Sequence, residues 1–338
     1  MKAMILEKTA PLEAHPLRWA DIPAPSPGPG EVLIQVAACG VCRSNLHMIE
    51  GDWSSKGIPA KLPIVPGHEV VGRITRLGPG VQNLSVGARV GVQPLWSCCE
   101  RCEYCLTGRE QLCAQKQVTG ETVDGGYAEL MVAKERHVYP VPDGISDAEA
   151  APLFCPGITA FGAVSKARLA PGKRMALFGF GGVGHMVQQL AQLAGAEVTV
   201  VARSPLHLAL AKKLGASATV DASSSAHLEE ELTKMDRVDA AVLFAPSTPM
   251  LRQAVQVTKP GGVVVVGASA EVGELPFGDA KTVVGTLLGS RQQMHELLRL
   301  AEEGRIEAVV ESLPLERVED ALARLKHGDL AARAVVMP

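Results

Sequence analysis

The chain has 338 residues, which is enough for two domains of ordinary size. Hydrophobic residues make up 47% of it, yet no apolar run is long enough to span a bilayer. The formal net charge of -3 gives no basic face for nucleic acid, and six Phe, three Trp and three Tyr leave few rings for stacking on bases. We expect a soluble, cytoplasmic globular protein.

The first half of the chain, up to about residue 152, consists of short apolar runs separated by Gly and Pro. These runs are MKAMIL, EVLIQVAA, EVVGRITRL, ARVGV and GYAELMVA. They alternate without long helical patterns, which favours a twisted antiparallel or barrel-like domain. The stretch PAPSPGPG from Pro23 predicts an exposed, stiff connection within that domain.

Four cysteines follow in the spacing C-x2-C-x2-C-x7-C, namely Cys99, Cys102, Cys105 and Cys113. Four thiolates this close in sequence can surround one Zn²⁺ tetrahedrally, leaving no position for water. Eight cysteines is an even number, so disulfides are the alternative. The start MKAMILEKTA lacks the apolar core of an export signal, which favours reduced thiols and metal. We therefore predict a structural zinc lobe over about residues 93–115, with Cys98 as a bystander.

After about Gly157 the pattern changes to alternating strands and helices. We predict strands over residues 175–178, 198–202, 238–244, 263–267 and 334–337, and helices over residues 183–194 and 206–214. Alternation of this kind predicts a parallel, doubly wound sheet, so the fold class is α/β.

A glycine-rich turn joins the first strand and helix of that sheet. Its sequence GFGGVG contains Gly179, Gly181, Gly182, Val183 and Gly184, and the pattern G-x-G-x-x-G is common by itself. A strand before it and a helix after it are the context of a dinucleotide site. The first glycine allows the tight turn, the second lets a pyrophosphate approach, and the third lets helix and strand pack closely. The alternative is a packing turn in some other α/β protein.

The end of the second strand predicts which nicotinamide cofactor binds. An NAD site has a carboxylate there, about twenty residues after the turn, to hold the ribose 2′-hydroxyl. Here Ala202 takes that place and Arg203 and Ser204 follow. A guanidinium and a hydroxyl suit a 2′-phosphate, so we predict a preference for NADP(H). If Arg203 is instead a solvated surface residue, selectivity is weak.

Three further pieces carry metal-binding side chains: CGVCRSNLH from Cys39, PGHE from Pro66, and APLFCPGIT around Cys155. Together with the four-cysteine lobe and the glycine-rich turn, they resemble the zinc-dependent medium-chain alcohol dehydrogenases. The resemblance extends over essentially the whole chain, through DGGYAE and the terminal ARAVV. It implies a GroES-like catalytic domain (1–155), a Rossmann domain (156–287) and a C-terminal segment (288–338) that completes the first. It also implies two Zn²⁺ per chain and a homotetramer or homodimer joined through the cofactor-domain sheets.

The resemblance assigns the catalytic metal ligands. Cys42, which directly precedes an Arg-Ser pair, resembles the first ligand, His68 the second and Cys155 the third. Water or a substrate oxygen would take the fourth position of an open site. Glu69 resembles the nearby carboxylate that approaches the metal during ligand exchange, and Cys39 is expected to be a small buried residue.

The resemblance also implies a path for the proton that alcohol oxidation releases. Zn²⁺ lowers the pKa of a bound hydroxyl, and the same metal polarises a carbonyl in the reverse direction. Ser44 resembles the hydroxyl that takes the proton and passes it through the cofactor ribose to His47. Histidine suits that place because its ordinary pKa is about 6.5. An ordinary surface histidine is the alternative.

Four other positions match residues of the family. Arg43 and Arg333 resemble the cationic pair on the pyrophosphate. Thr159 resembles the residue packed against the nicotinamide, and Trp53 resembles an aromatic wall of the substrate pocket.

The sequence departs from the family at two places. Asn45 stands where the family usually has an aspartate that accepts a hydrogen bond from the histidine ligand. Its amide oxygen can still accept but brings no charge, and such changes commonly cost 10–100-fold in metal affinity or activity. Pro94 stands where relatives with small-alcohol pockets often carry tryptophan. We expect a roomier pocket, unless Trp96 compensates.

These features predict a zinc-dependent, NADP(H)-preferring alcohol dehydrogenase or aldehyde reductase. On the same scaffold, the alternatives are a reductase of activated double bonds and a polyol dehydrogenase. Outside enzymes, the alternative is a zinc-stapled NADPH-binding module without turnover, if Asn45 has disabled the metal site.

Overall fold

The computed structural model describes residues 1–338, except for the side chains of residues 225–227. The chain divides into two compact units. Unit 1 contains Met1–Cys155, Ser290–Gly304 and Ala308–Pro338, and unit 2 contains Pro156–Gly289 and Arg305–Glu307. None of the described helices has the length and apolarity needed to cross a membrane.

The N-terminal part of unit 1 is mostly β-structure. Its strands are β1 (Lys2–Leu6), β2 (Leu17–Asp21), β3 (Glu31–Gly40), β4 (Val70–Leu77), β5 (Arg89–Val92), β6 (Leu95–Ser97), β7 (Gln117–Val118), β8 (Leu130–Lys134) and β9 (Val138–Pro140). Its α-helices are α1 (Arg43–Glu50), α2 (Glu103–Leu106) and α3 (Asp147–Ala150).

Several local features differ from the sequence prediction, and two of them have a clear physical cause. The run GYAELMVA becomes a strand only from Leu130, because residues 125–127 donate their backbone N–H groups to the carbonyls of residues 65–67. Helix α1 was not predicted, because only eight residues carry its pattern, although its apolar face with Leu46, Met48 and Ile49 is buried.

Unit 2 alternates helices and strands. Its helices are α4 (Pro156–Lys166), α5 (Gly184–Leu193), α6 (Pro205–Lys213), α7 (Ser225–Lys234) and α8 (Thr248–Val257). Its strands are β10 (Arg174–Phe178), β11 (Glu197–Ala202), β12 (Ala218–Asp221), β13 (Val238–Leu243), β14 (Thr258–Val266) and β15 (Thr282–Gly285).

These six strands form one parallel sheet in the order β12-β11-β10-β13-β14-β15. The predicted α/β class with a doubly wound sheet is therefore confirmed. The strand order changes direction at β10, between β11 and β13, and this is the switch point at which such sheets bind dinucleotides. Residues 175–178 of β10 are completely buried, which explains why the run is continuously apolar.

The C-terminal residues return to unit 1. They form α9 (Arg291–Glu302), β16 (Val310–Pro314), α10 (Val318–His327) and β17 (Arg333–Met337). The main sheet of unit 1 runs β16-β17-β3-β4-β5-β9, and β8 pairs with β3.

The register of three strands positions the functional residues. Strands β3 and β4 are antiparallel with Cys39 opposite Val70, and β17 is antiparallel to β3 with Val336 opposite Cys39. The end of β3, the beginning of β4 and the beginning of β17 therefore meet at one edge of the sheet.

Candidate active site

A buried cluster of metal-binding side chains lies at this edge of unit 1. The ligand atoms of Cys42, His68, Glu69 and Cys155 are all within 4.8 Å of one another. The sulfur atoms of Cys42 and Cys155 are 3.8 Å apart, and all four residues are buried. The structure thus brings together the residues predicted to bind the catalytic metal.

Sheet register and one glycine explain how Cys42, His68 and Glu69 meet. Cys42 follows β3 and is the N-cap of α1, while His68 and Glu69 immediately precede β4. The N–H of Gly40 donates to the Glu69 carbonyl at 2.9 Å. A Cβ on Gly40 would lie 1.9 Å from the Glu69 Oε2 atom, so only glycine allows this carboxylate to approach β3.

The pKa values of the two cysteines of the cluster shift in opposite directions. A hydrogen bond from Cys155 holds the pKa of Cys42 well below its usual range despite burial, and Arg333 and His68 act in the same direction. The thiolate of Cys42 in turn raises the pKa of the Cys155 thiol. A metal bound to both sulfur atoms would favour the deprotonated form of each, because metals bind thiolates.

His68 presents one nitrogen to the cluster without a partner. Its Nε2 atom is buried and makes no hydrogen bond to any described residue. Burial lowers the pKa of His68, but the Cys42 thiolate outweighs this effect and raises it. An orphaned buried nitrogen beside a thiolate is what a tetrahedral Zn²⁺ site requires, so these residues fit the metal.

Behind the cluster, Glu69 forms a buried ion pair with Arg333. The Arg333 Nε donates to Glu69 Oε2 at 3.1 Å, and its second N–H group donates to Oε1. Burial raises the pKa of Glu69 to about 7, and the guanidinium of Arg333 offsets this only in part. The role predicted for Arg333 on a pyrophosphate stays a prediction.

Asn45 bridges His68 and a buried tyrosine. Its Nδ2 atom lies 3.3 Å from His68 Nδ1, and the Tyr127 hydroxyl donates to its Oδ1 at 3.2 Å. We expected the amide oxygen, and not the nitrogen, to face the histidine. With the amide reversed, Oδ1 accepts from Nδ1–H, Nδ2 donates to the tyrosine oxygen, and Nε2 is free for a metal. The tyrosine hydroxyl supports both orientations because it can donate or accept.

Sequence reasoning missed Glu121. Its Oε1 atom lies 4.0 Å from His68 Nδ1, and the residue is only 8% exposed. Burial raises the pKa of this carboxyl. The only sequence signal was an acidic residue just before the DGGYAE motif, and nothing in the sequence places it beside His68.

The second cysteine cluster is the predicted lobe, with Cys99, Cys102, Cys105 and Cys113 within 4.8 Å of one another. The sulfur atoms of Cys102 and Cys105 are 3.5 Å apart. Backbone N–H groups of Arg101 and Cys102 lower the pKa of Cys99 to about 6. All eight cysteines of the chain are free thiols here, and four converging sulfurs fit a closed zinc site.

The glycine-rich turn of unit 2 has the form of a dinucleotide cradle. Gly179 follows β10 and adopts a φ of +93°, while Gly184 begins α5. A Cβ on Gly184 would lie 2.7 Å from the Gly179 carbonyl oxygen, whereas a Cβ on Gly181 would meet nothing within 4 Å. The third glycine is thus needed for close packing, and the second leaves open space where a pyrophosphate can approach. Gly182 and Val183 complete the turn, half-buried.

The specificity positions follow β11. Ala202 is the buried last residue of that strand, and Arg203 is exposed with no hydrogen bond or ion pair to any described residue. Ser204 is the N-cap of α6, but its hydroxyl makes no capping bond.

The predicted proton-relay residues lie on α1. Ser44 is half-buried, and no hydrogen bond among the described residues joins it to His47. His47 is partly exposed, and its Nδ1 lies 2.6 Å from Asp52 Oδ2. The ring of Trp53 is 5.5 Å from the His47 ring.

The remaining predicted residues are placed as follows. Arg43 is exposed and donates to the Leu325 carbonyl at 2.8 Å, and Thr159 is half-buried on α4. Pro94 is buried. The indole N–H of Trp96 donates to a backbone carbonyl of β8 at 3.0 Å, and this bond fixes the ring.

Comparison with known proteins places the chain in a family. Residues 28–143 match the alcohol dehydrogenase GroES-like domain, and residues 182–303 match the zinc-binding dehydrogenase domain. An alcohol dehydrogenase of Geobacillus stearothermophilus is 38% identical over 341 residues, covering 99% of both chains.

Solved structures agree with these matches. The alcohol dehydrogenase of the hyperthermophilic archaeon Aeropyrum pernix is 32% identical, with a TM-score of 0.91 over 100% of both chains. The crystal structure of an NAD-dependent alcohol dehydrogenase is 30% identical, also with a TM-score of 0.91 over 100% of both chains. These matches favour an enzyme over a binding module without turnover. The chain belongs to the zinc-dependent medium-chain alcohol dehydrogenases, oxidoreductases that transfer a hydride between a nicotinamide cofactor and an alcohol or carbonyl substrate.

Proposed function

We propose that this enzyme binds two Zn²⁺ per chain and prefers NADP(H), and that it interconverts primary or secondary alcohols with the matching aldehydes or ketones. The observation that carries the proposal is the convergence of the two cysteine sulfur atoms, of Cys42 and Cys155, on the unpartnered Nε2 atom of His68. Zn²⁺ bound there supplies Lewis-acid polarisation of the substrate oxygen.

Each residue of the cluster contributes to metal binding in a different way. Cys42 is already the more acidic thiol, Cys155 gives up its proton on binding, and His68 offers its buried Nε2 atom. Burial of all three side chains keeps water away from the reacting centre. Ser44 and His47 are proposed to carry the proton to solvent, and the partial exposure of His47 supports its position at the outer end.

Arg203 supports the proposed preference for NADP(H). Its guanidinium is exposed and unpartnered among the described residues, one residue after the buried Ala202. A free guanidinium can pair with a 2′-phosphate, and β11 itself ends in Ala202 and not in a carboxylate. An Arg203→Ala variant should lose NADP(H) preference, whereas Arg237→Ala, also exposed and in unit 2, should not.

A substrate screen tests the whole proposal. Purified enzyme is given a panel of alcohols, aldehydes, ketones, activated alkenes and polyols, and absorbance of the reduced nicotinamide is followed with each cofactor. We expect turnover of alcohols and carbonyls, with kcat/KM at least about tenfold higher for NADP(H). Clear NAD(H) preference refutes the cofactor assignment, and turnover restricted to alkenes or polyols refutes the substrate class.

We further propose a cytoplasmic homotetramer or homodimer joined through the cofactor-domain sheets. Strand β15 is one of the two outer strands of its sheet, with three half-buried residues and one exposed residue, which supports this interface. In the same unit, Phe277 is 99% exposed. Eight free thiols fit a reducing compartment. Light scattering coupled to size exclusion tests the assembly, and a monomer refutes it.

A further inference from the structure

The two nitrogens of the His68 ring face different surroundings. Its Nε2 atom faces the cluster of Cys42, Glu69 and Cys155. Its Nδ1 atom faces the Asn45 amide at 3.3 Å and the Glu121 carboxylate at 4.0 Å. The side of the ring away from the metal ligands therefore has two neighbours, one neutral and one acidic.

The backbone of Glu121 is fixed beside that of His68. The Glu121 N–H donates to the Val118 carbonyl at 3.2 Å, and its carbonyl accepts from Ala60 at 2.9 Å. A Cβ on the preceding Gly120 would lie 2.7 Å from the N atom of Gly67, the residue before His68. The two loops thus pack backbone against backbone, and this contact determines where the Glu121 side chain can reach.

The Glu121 carboxylate is aimed at His68 without another strong partner. The side chain is 10% exposed and makes no hydrogen bond to any described residue. It does not belong to the group of converging ligand atoms, so it is not a further metal ligand. A buried carboxylate in this position costs free energy unless a positive charge develops nearby.

Metal binding to Nε2 produces such a charge. A metal withdraws electron density from the imidazole and makes Nδ1–H a stronger donor, so ligating histidines usually have a carboxylate or carbonyl on their other nitrogen. Asn45 can orient the ring through its amide but contributes no charge. We propose that Glu121 supplies the negative charge that strengthens His68 as a metal ligand, while Asn45 sets its orientation. The inference rests on the proposed metal site, and Glu121 is a positioning residue because it acts through His68.

Zinc retention in the full-length holoenzyme tests whether Glu121 provides the charge and Asn45 the orientation of His68. Zinc release to a chelator is measured for Glu121→Gln and for the matched control Glu316→Gln, which changes an exposed glutamate of the same unit. A Cys42→Ser variant identifies which zinc equivalent belongs to the lobe. We expect Glu121→Gln to lower the affinity for the zinc bound by His68 by about 10–100-fold, while the affinity of the lobe for its zinc is unchanged.

A second substitution separates charge from structure. Asn45→Asp in the Glu121→Gln background returns a carboxylate to the same nitrogen, and we expect zinc affinity to recover to within about threefold of the wild type. In the wild-type background, Asn45→Asp should increase zinc affinity by a smaller factor than in the Glu121→Gln background, because the Glu121 carboxylate is already present. A merely structural role of Glu121 would not be rescued in this way.

The outcomes are distinct. Equal zinc retention in Glu121→Gln and Glu316→Gln overturns the inference, and so does a loss that Asn45→Asp fails to restore. A protein that shows the loss and the rescue but turns over no alcohol or carbonyl supports the role of Glu121 and refutes the proposed function.

Discussion

The chain contains two cysteine-bearing clusters that are built in opposite ways. The lobe brings together four cysteines between Cys99 and Cys113 on one short segment, three of them half-buried and Cys113 buried. The cluster proposed to be catalytic (the catalytic cluster) brings together the buried Cys42 and Cys155, which lie 113 residues apart in the chain. Chain spacing alone can close the first site, whereas the second requires the register of β3 with β4.

The difference extends to charge. Close beside the lobe, Arg136 and Glu100 form an ion pair in which the arginine is 68% exposed. Beside the catalytic cluster, the Arg333–Glu69 pair is at most 4% exposed. Water screens the first pair but not the second, so the charges of the Arg333–Glu69 pair act more strongly on their surroundings.

The largest effect is expected from removing His68, the histidine of the catalytic cluster. His68→Ala should lose one of two zinc equivalents and lower kcat/KM on the order of 10⁴-fold or more, because Lewis-acid catalysis contributes several kcal/mol. Metal analysis and steady-state kinetics measure this. His15→Ala, at a side chain that is 81% exposed, is the control. A loss below tenfold would contradict a catalytic metal at His68.

Removing a lobe ligand should instead cost stability. Cys113→Ser should lower the free energy of unfolding by more than about 5 kcal/mol, because binding free energy at a closed zinc site is folding free energy. Denaturant unfolding measures this, and Cys98→Ser, at the adjacent cysteine predicted to be a bystander, is the matched control. The folded fraction should keep its kcat. Equal stability of the two variants would show that the lobe holds no structural metal.

The buried ion pair should be far more sensitive than the exposed one. Arg333→Gln leaves Glu69 uncompensated and should cost about 3–5 kcal/mol, whereas Arg136→Gln should cost less than about 1 kcal/mol. Thermal unfolding of both variants measures the difference. The double variant with Glu69→Gln should recover part of the loss, since no unpaired charge then remains. Equal losses of stability in the Arg333→Gln and Arg136→Gln variants would contradict the proposed difference between the buried and the exposed ion pair.

The smallest effect concerns the hydroxyl behind Asn45. Tyr127→Phe removes the bond to the amide and should cost about 1 kcal/mol, because one neutral buried hydrogen bond is lost. Tyr104→Phe in the lobe is the control, since its ring contacts Arg109 and its hydroxyl bonds to no described residue. Chemical denaturation measures both. A cost no larger at Tyr127 would show that the bridge to His68 contributes no stability.

A region can be predicted from the sequence when the contacts that decide its structure join residues close together in the chain. The lobe and the glycine-rich turn are local, so their spacing or neighbouring elements predict them. The short helix α1 and the late start of β8 were not predicted, because contacts with residues 65–67 and with the unit 1 core decide them. The cofactor assignment from Ala202 and Arg203 was local too and stays a prediction.

The sequence by itself determined the α/β class, the cysteine lobe and the dinucleotide turn, because hydrophobic period and residue spacing carry that information over short distances. Resemblance to a family nominated Cys42, His68 and Cys155. Only the tertiary structure decided what surrounds them. The contact between Arg333 and Glu69 joins residues 264 positions apart, and the approach of Glu121 to His68 depends on two loops packing backbone against backbone. Strand register and loop packing set such contacts, and neither can be read from neighbouring residues.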